Sequence, residues 1–136
     1  GAGENRIKEP KVVEALKGQC ASLVPTPGVI AATTFDGRLY TWGNQLGLGN
    51  GRGGDKALPT EVQKLADVRI ASVSHGSSSG GISAGACTVD GDMYFWGSND
   101  DNCGVVAGKD GMPEKYVLQG CPEGYSARFV QVNANH

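Results

Sequence analysis

A chain of 136 residues is enough for about one domain and too short for a large multidomain enzyme, and 39% apolar with 19% charged residues marks a packed globular chain. Twelve Lys and Arg against 14 Asp and Glu leave a net charge of -2, so there is no electrostatic footprint for a nucleic-acid backbone or an anionic membrane. Glycine supplies 22 residues, about 16% where ~7% is usual, and many tight turns follow from it.

Taken in chain order, residues 1–9 open without Met and carry no apolar run, so they read as an N-terminal extension or scar. Pro10-Lys11-Val12-Val13-Glu14-Ala15-Leu16 then spells P-x-x-V-x-x-L, and Pro59-Thr60-Glu61-Val62-Gln63-Lys64-Leu65 spells it again. Each of these segments has room for a helical turn or so and no more, since Gly18 or Asp67 soon follows. Between them, Ala31 to Phe35 and Leu39 to Trp42 are β-rich runs around Asp36-Gly37, a strong hairpin signal because Gly accepts the positive φ of the turn. Ala86 to Val89, Asp90-Gly91 and Met93 to Trp96 repeat the form.

The two hairpins are copies. Asp36-Gly37-Arg38-Leu39-Tyr40-Thr41-Trp42-Gly43 returns 54 residues later as Asp90-Gly91-Asp92-Met93-Tyr94-Phe95-Trp96-Gly97, with five of eight positions identical, and Pro59 returns as Pro113. Upstream of the second Asp-Gly, Ile70 to His75 is echoed by Phe129 to Ala134. The chain therefore divides into repeats over 10–58 and 59–112, with the start of a third over 113–136. A unit of about 54 residues with roughly four short strands cannot cover both faces of its own sheet, but it can stack on its neighbours as a propeller blade. The fold class expected is all-β, each blade a four-stranded antiparallel sheet, in a partial ring. Trp42 and Trp96, at equivalent positions, are expected in the core.

Motifs that could carry chemistry fail on context. Gly81-Ile82-Ser83-Ala84-Gly85 has the spacing of a nucleophile elbow, yet a strand into a hairpin follows it, so its small residues read as close packing in an inner strand. Gly49 to Gly54 fits G-x-G-x-x-G, but Asp55 to Pro59 allows no phosphate-binding helix. Cys20, Cys87, Cys103 and Cys121, with His75 and His136, contain no closely spaced pair for zinc and read as reduced thiols of an intracellular protein, with Cys20 and Cys87 buried. Asn99-Asp100-Asp101-Asn102 lacks the register of a helical calcium loop and reads as a solvated turn. No catalytic residue, cofactor or metal is expected. Apolar runs such as Val29 to Thr33 and Ile82 to Val89 are far short of a bilayer span, so the chain is expected to be soluble.

The order Asp-Gly, apolar-Tyr-x-Trp-Gly, then Asn44-Gln45-Leu46-Gly47-Leu48-Gly49, then Pro59 to Val62, resembles the repeats of the regulator of chromosome condensation family. The second copy keeps Asp90, Gly91, Tyr94, Trp96, Gly97, Asn99 and Pro113 but has Cys103 to Gly108 in place of the Leu-Gly-x-Gly run, and Ser74 to Gly81 expands the family's Gly-x-x-His-Ser element, while Pro25-Thr26-Pro27-Gly28 has no His. The resemblance implies blades of a seven-bladed propeller, of which two units and part of a third cannot close a ring. It implies a non-catalytic interaction scaffold with protein partners: the remaining blades, a small GTPase or a larger assembly. Its alternatives are nucleotide exchange on a Ran-type GTPase, and a chromatin-associated role that the -2 charge disfavours. The partner-contact loops expected are the unequal insertions, through Asn44, Gln45, Arg52, Asp55, Asn99, Asp100, Asp101 and Asn102.

Overall fold

The structure, a computed structural model, describes residues 10–43, 46–50, 56–78, 81–97 and 111–117. Strands β1 (Cys20–Thr26), β2 (Val29–Thr34), β3 (Leu39–Gly43) and β4 (Lys56–Glu61) form one sheet in that order, and β5 (Ile70–Ser78), β6 (Gly81–Thr88), β7 (Met93–Gly97) and β8 (Glu114–Tyr116) form a second. Every pairing is antiparallel. The helical pieces among the described residues are single 3-10 turns, Glu14–Leu16, Leu46–Leu48 and Gln63–Leu65, two of them at the P-x-x-V-x-x-L segments. These are the all-β blades expected.

The hairpins are built alike to the level of single bonds. In the first, the Gly37 N–H donates to Thr34 O, the Thr34 N–H donates to Arg38 O, and the Arg38 N–H returns to the Thr34 hydroxyl at 3.0 Å. In the second, Gly91 donates to Thr88 O, Thr88 to Asp92 O, and Asp92 to the Thr88 hydroxyl at 3.0 Å. Gly37 (φ 86°) and Gly91 (φ 88°) lie in the left-handed region that this turn requires. The Thr at the head of each turn was not singled out in the sequence, although its hydroxyl closes the loop. β1 and β5 share an irregularity after their first residue, at Cys20/Ser22 and Ile70/Ser72, so they superpose with an offset of 50 rather than 54.

The sheets stack face to face. Ala31, Leu39, Val62 and Leu65 from the first pack with Ile70, Val73, Ala84, Ala86 and Trp96 of the second in one buried cluster, edged by Val24, Val68 and Tyr94. Burying each of the larger aliphatic side chains contributes roughly 1.5–3 kcal/mol, so this shared cluster, rather than either sheet's own surface, holds the pair together. At the hairpin end the Ile70 N–H donates to Gly37 O at 2.8 Å, and a Cβ on Gly37 would stand 3.0 Å from that of Arg69. Asp-Gly therefore serves as turn and as blade contact.

Two expectations need adjustment, and the repeat and the sheet differ in phase. Cys20, expected buried, is exposed at the start of edge strand β1, whereas Cys87 is enclosed, and burial raises its thiol pKa. Trp42, expected in the core, is half-buried, because among the described residues no second sheet lies on its side of β3, whereas Trp96 is completely buried between the two sheets. Pro59, from which the repeat 59–112 was counted, lies inside β4, so the first sheet runs Cys20–Glu61 and the second Ile70–Tyr116; the Pro-to-Pro period and the sheets have different phases. Pro59 is tolerated there because β4 is an edge strand whose pairing with β3 is irregular between Thr41 and Gly43.

Candidate interaction site

The third-to-fourth strand connections leave the same end of the sheets as the Thr26–Val29 turn, opposite the Asp-Gly turns. The partner-contact residues expected on them, Asn44, Gln45, Arg52, Asp55, Asn99, Asp100, Asp101 and Asn102, lie outside the described residues, as does the echo segment Phe129 to Ala134. What the structure brings together is their support: Leu46 to Asn50, the joint beneath it, and the ion pairs along the outer strands.

The segment Leu46 to Asn50 is held from both sides. Toward the first sheet, the Thr41 hydroxyl donates to Leu48 O at 2.6 Å, the Asn50 amide donates to Glu61 O at 3.2 Å, and the Gln63 N–H donates to Asn50 Oδ1 at 3.1 Å. Toward the second sheet, Gly47 O receives the Trp96 indole N–H at 2.9 Å and lies 3.1 Å from His75 Nε2. Gly49 (φ 77°) lies over the same indole, where a Cβ would stand 3.0 Å from Trp96 Nε1 and 3.2 Å from Val62 Cγ1. Glycine at position 49 thus lets backbone lie close against the indole at a positive φ, where any side chain would be strained and would crowd Trp96 and Val62.

His75, Ala84 and Trp96 stand in one row across β5, β6 and β7. Alanine between them leaves room for the two rings to meet edge-on, with centroids 5.9 Å apart and planes at 85°. His75 is 7% exposed, and among the described residues its buried Nδ1 has no partner. A carbonyl can only accept, so Nε2 carries the proton toward Gly47. Burial holds its pKa below the usual histidine value, partly opposed by the bond to Gly47. Ser83 of the G-x-S-x-G spacing lies within β6, not at a strand-to-helix turn, and β4 rather than a helix follows Gly49 to Gly54. Among the described residues, no group of three His, Cys, Asp or Glu could hold a metal ion, and no helix is long and apolar enough to cross a membrane.

On the outer strands an ion pair recurs with its sign reversed. Arg38 contacts Glu61 at 3.6 Å and Asp36 at 3.3 Å; the equivalent Asp92 contacts Lys115 at 2.9 Å. Glu61 and then Asp36 raise the Arg38 pKa, the hydrogen bond from Lys115 to Asp92 raises that of the lysine, and the Thr34 hydroxyl, ahead of Arg38, lowers that of Asp36. Glu61 Oε1 is buried and has no hydrogen-bond partner among the described residues. Of the repeat residues, Asp36, Gly37, Asp90 and Gly91 form the turns; Tyr40, Trp42, Gly43, Tyr94, Trp96 and Gly97 lie on the third strands; and Pro59 and Pro113 lie in or beside the fourth. Gly43 (φ 130°) abuts the turn before β2, where a Cβ would meet Gly28 O at 2.1 Å. His75, Thr41 and Asn50 were not picked out as site residues; glycine at every second position of Leu46 to Gly49 was the available sign of backbone on a ring.

Comparison with known proteins agrees with this architecture. The family model for the regulator of chromosome condensation (RCC1) repeat matches residues 36–80. The chain is 34% identical over 120 residues to human E3 ubiquitin-protein ligase HERC2, covering 83% of this chain and 2% of that protein. It is 32% identical over 111 residues to the mitochondrial RCC1 domain-containing protein RUG3 of Arabidopsis thaliana, covering 78% of this chain and 23% of the relative. Among solved structures, human WBSCR16 aligns with a TM-score of 0.62 at 21% identity, over 76% of this chain and 26% of that one. Yeast RCC1 (Prp20), solved bound to Kap60, aligns with a TM-score of 0.57 at 22% identity, over 85% of this chain and 28% of that one. The chain thus spans at most about a quarter of the length of the curated relatives described.

Proposed function

From the premise that this chain belongs to the family of regulator of chromosome condensation repeats, we propose that it is a non-catalytic interaction segment of a propeller, docking a protein partner through the loops between third and fourth strands. The observation that carries this reading is the contrast between paired blades of one design and the unequal insertions they hold, Gly47 to Asp55 against Asn99 to Met112. Rigid strands with variable loops are how repeat proteins separate stability from recognition. The remaining blades are the first partner, since the outer face of the first sheet leaves Leu23 56% exposed where its equivalent Val73 is 8% exposed. An intracellular site fits the free thiol of Cys20.

A second reading is nucleotide exchange on a Ran-type GTPase; a solved relative, yeast Prp20p, is described with its binding properties to Gsp1p and histones. One experiment separates the two. Photo-crosslinking residues placed at Arg52 and Asn99 are expected to capture a protein partner in cells when one placed at Lys17 does not, while the purified chain leaves the release of fluorescent GDP from a Ran-type GTPase unchanged. Equal capture at all three positions would remove the docking reading, and accelerated release would replace scaffold with exchange factor. With a charge of -2, no retention on duplex DNA at physiological salt is expected.

A further inference from the structure

The segment Leu46 to Asn50 is fastened to its two neighbours by different chemistry. Its bonds to the first sheet come from the Thr41 hydroxyl, the Asn50 amide and the Gln63 N–H, none of which changes protonation near neutrality. Its bonds to the second sheet converge on one carbonyl, Gly47 O, from His75 and Trp96. A histidine in that position is the group that titrates near physiological pH.

We propose that His75 is a proton-operated latch: protonation at Nδ1 releases the second sheet from Leu46 to Asn50, which stays fastened to the first sheet, and uncovers the Trp96 indole.

The surroundings give the imidazolium little compensation. The row containing His75 holds Ala84 and Trp96, and the Leu46–Leu48 turn above it holds no ionisable side chain. On the packed strands, β2 holds none; β1 has Cys20, paired with Thr34, β6 has Cys87, paired with Ser72, and β7 has Tyr94, paired with Ala86, all at other register positions. Among the described residues no carboxylate faces the ring, and the added N–H at Nδ1 meets no acceptor. A charged imidazole strengthens its bond to Gly47, but burial outweighs that gain, so the closed joint binds a proton more weakly than an open one. The sign follows. With the closed-state pKa below 6.5, the joint is fully latched above that value and loosens as pH falls through it, and the loss is complete below the closed-state pKa. The first sheet has no such device, because Pro25 and Ile30 stand where the second has His75 and Ala84. The proposal needs no partner for the loops, so it stands apart from the reading above.

The test uses the full 136-residue chain with Trp42→Phe, which leaves Trp96 as the sole indole. Acrylamide quenching of Trp96 is followed from pH 7.5 to 5.0 beside the same chain carrying His75→Gln, whose amide can donate to Gly47 but does not titrate. Quenching is expected to rise below pH 6.5, the opening constant growing by up to about tenfold per pH unit, and to stay flat in His75→Gln. A flat profile in the parent, or an equal slope in both, overturns the proposal. Should His75→Gln fail to fold, NMR titration of the His75 imidazole in the parent decides, and a midpoint at or above 6.5 overturns it. Hydrogen exchange supplies the location. Protection is expected to fall in Leu46 to Asn50 and β5 while the Thr34 to Arg38 turn keeps its own, and a uniform loss, meaning global unfolding, also overturns it.

Discussion

The two blades use one plan and meet different surroundings. Trp42 and Trp96 occupy the same place in the same hairpin, 54 residues apart, yet the first is half-buried and the second has no exposed surface. The difference lies in what covers each: over Trp96 are Gly47, Gly49 and the first sheet, while the corresponding face of the first sheet has no counterpart among the described residues. A repeat of this kind builds half of each interface, and its neighbour builds the other half. Val73 against Leu23 and Val62 against Val13, exposed by 1% and 41%, repeat the lesson.

The comparison can be broken most forcefully at the indoles. Trp96→Ala is expected to lower unfolding stability by about 3–5 kcal/mol and Trp42→Ala by roughly half that or less, read from urea midpoints; equal losses would mean that Trp42 is covered too. Glycine comes next. Gly43→Ala must displace Gly28 O and strain a φ of 130°, so a loss of about 2–4 kcal/mol is expected, against about 1 kcal/mol for Gly18→Ala (φ 74°), where nothing lies within 4 Å. Thermal unfolding of the pair tests whether close approach, rather than φ alone, sets the requirement. Val73→Ser should then cost about 1–3 kcal/mol while Leu23→Ser stays within about 0.5 kcal/mol, and a large loss for Leu23→Ser would show its face already occupied in this chain.

The smallest effect sharpens the contrast of sign. Arg38–Glu61 and Asp92–Lys115 are exposed, solvent-screened pairs, and each contributes only a small stabilisation. Arg38→Asp alone should destabilise by a comparably small amount, leaving the half-buried Glu61 facing a second carboxylate, and adding Glu61→Lys should recover most of it. Double-mutant analysis of urea unfolding measures the recovery, and strict additivity would show the reversed pair to be incidental.

Much of this was written in the residues. Asp36-Gly37 and Asp90-Gly91 announced hairpins because few residues take a positive φ cheaply, and the Trp-Gly ends announced a repeat because an offset of 54 kept aromatic and glycine in step. Cys20 was misread because an apolar neighbourhood in sequence does not distinguish a covered strand from an edge. The repeat phase, counted from Pro59, ran across β4, since proline marks an edge strand and not the boundary of a sheet.

What the sequence determined alone was local: turn, strand alternation and period, each fixed by backbone sterics or by side-chain spacing within a few residues. Tertiary structure decided everything that needs a second blade. That His75, 28 residues from Gly47, shares its carbonyl with Trp96, and that Gly49 lies on that indole, depends on how one sheet stacks on the next. No local propensity encodes that distance, because the groups meet only after both sheets have formed and buried their common face.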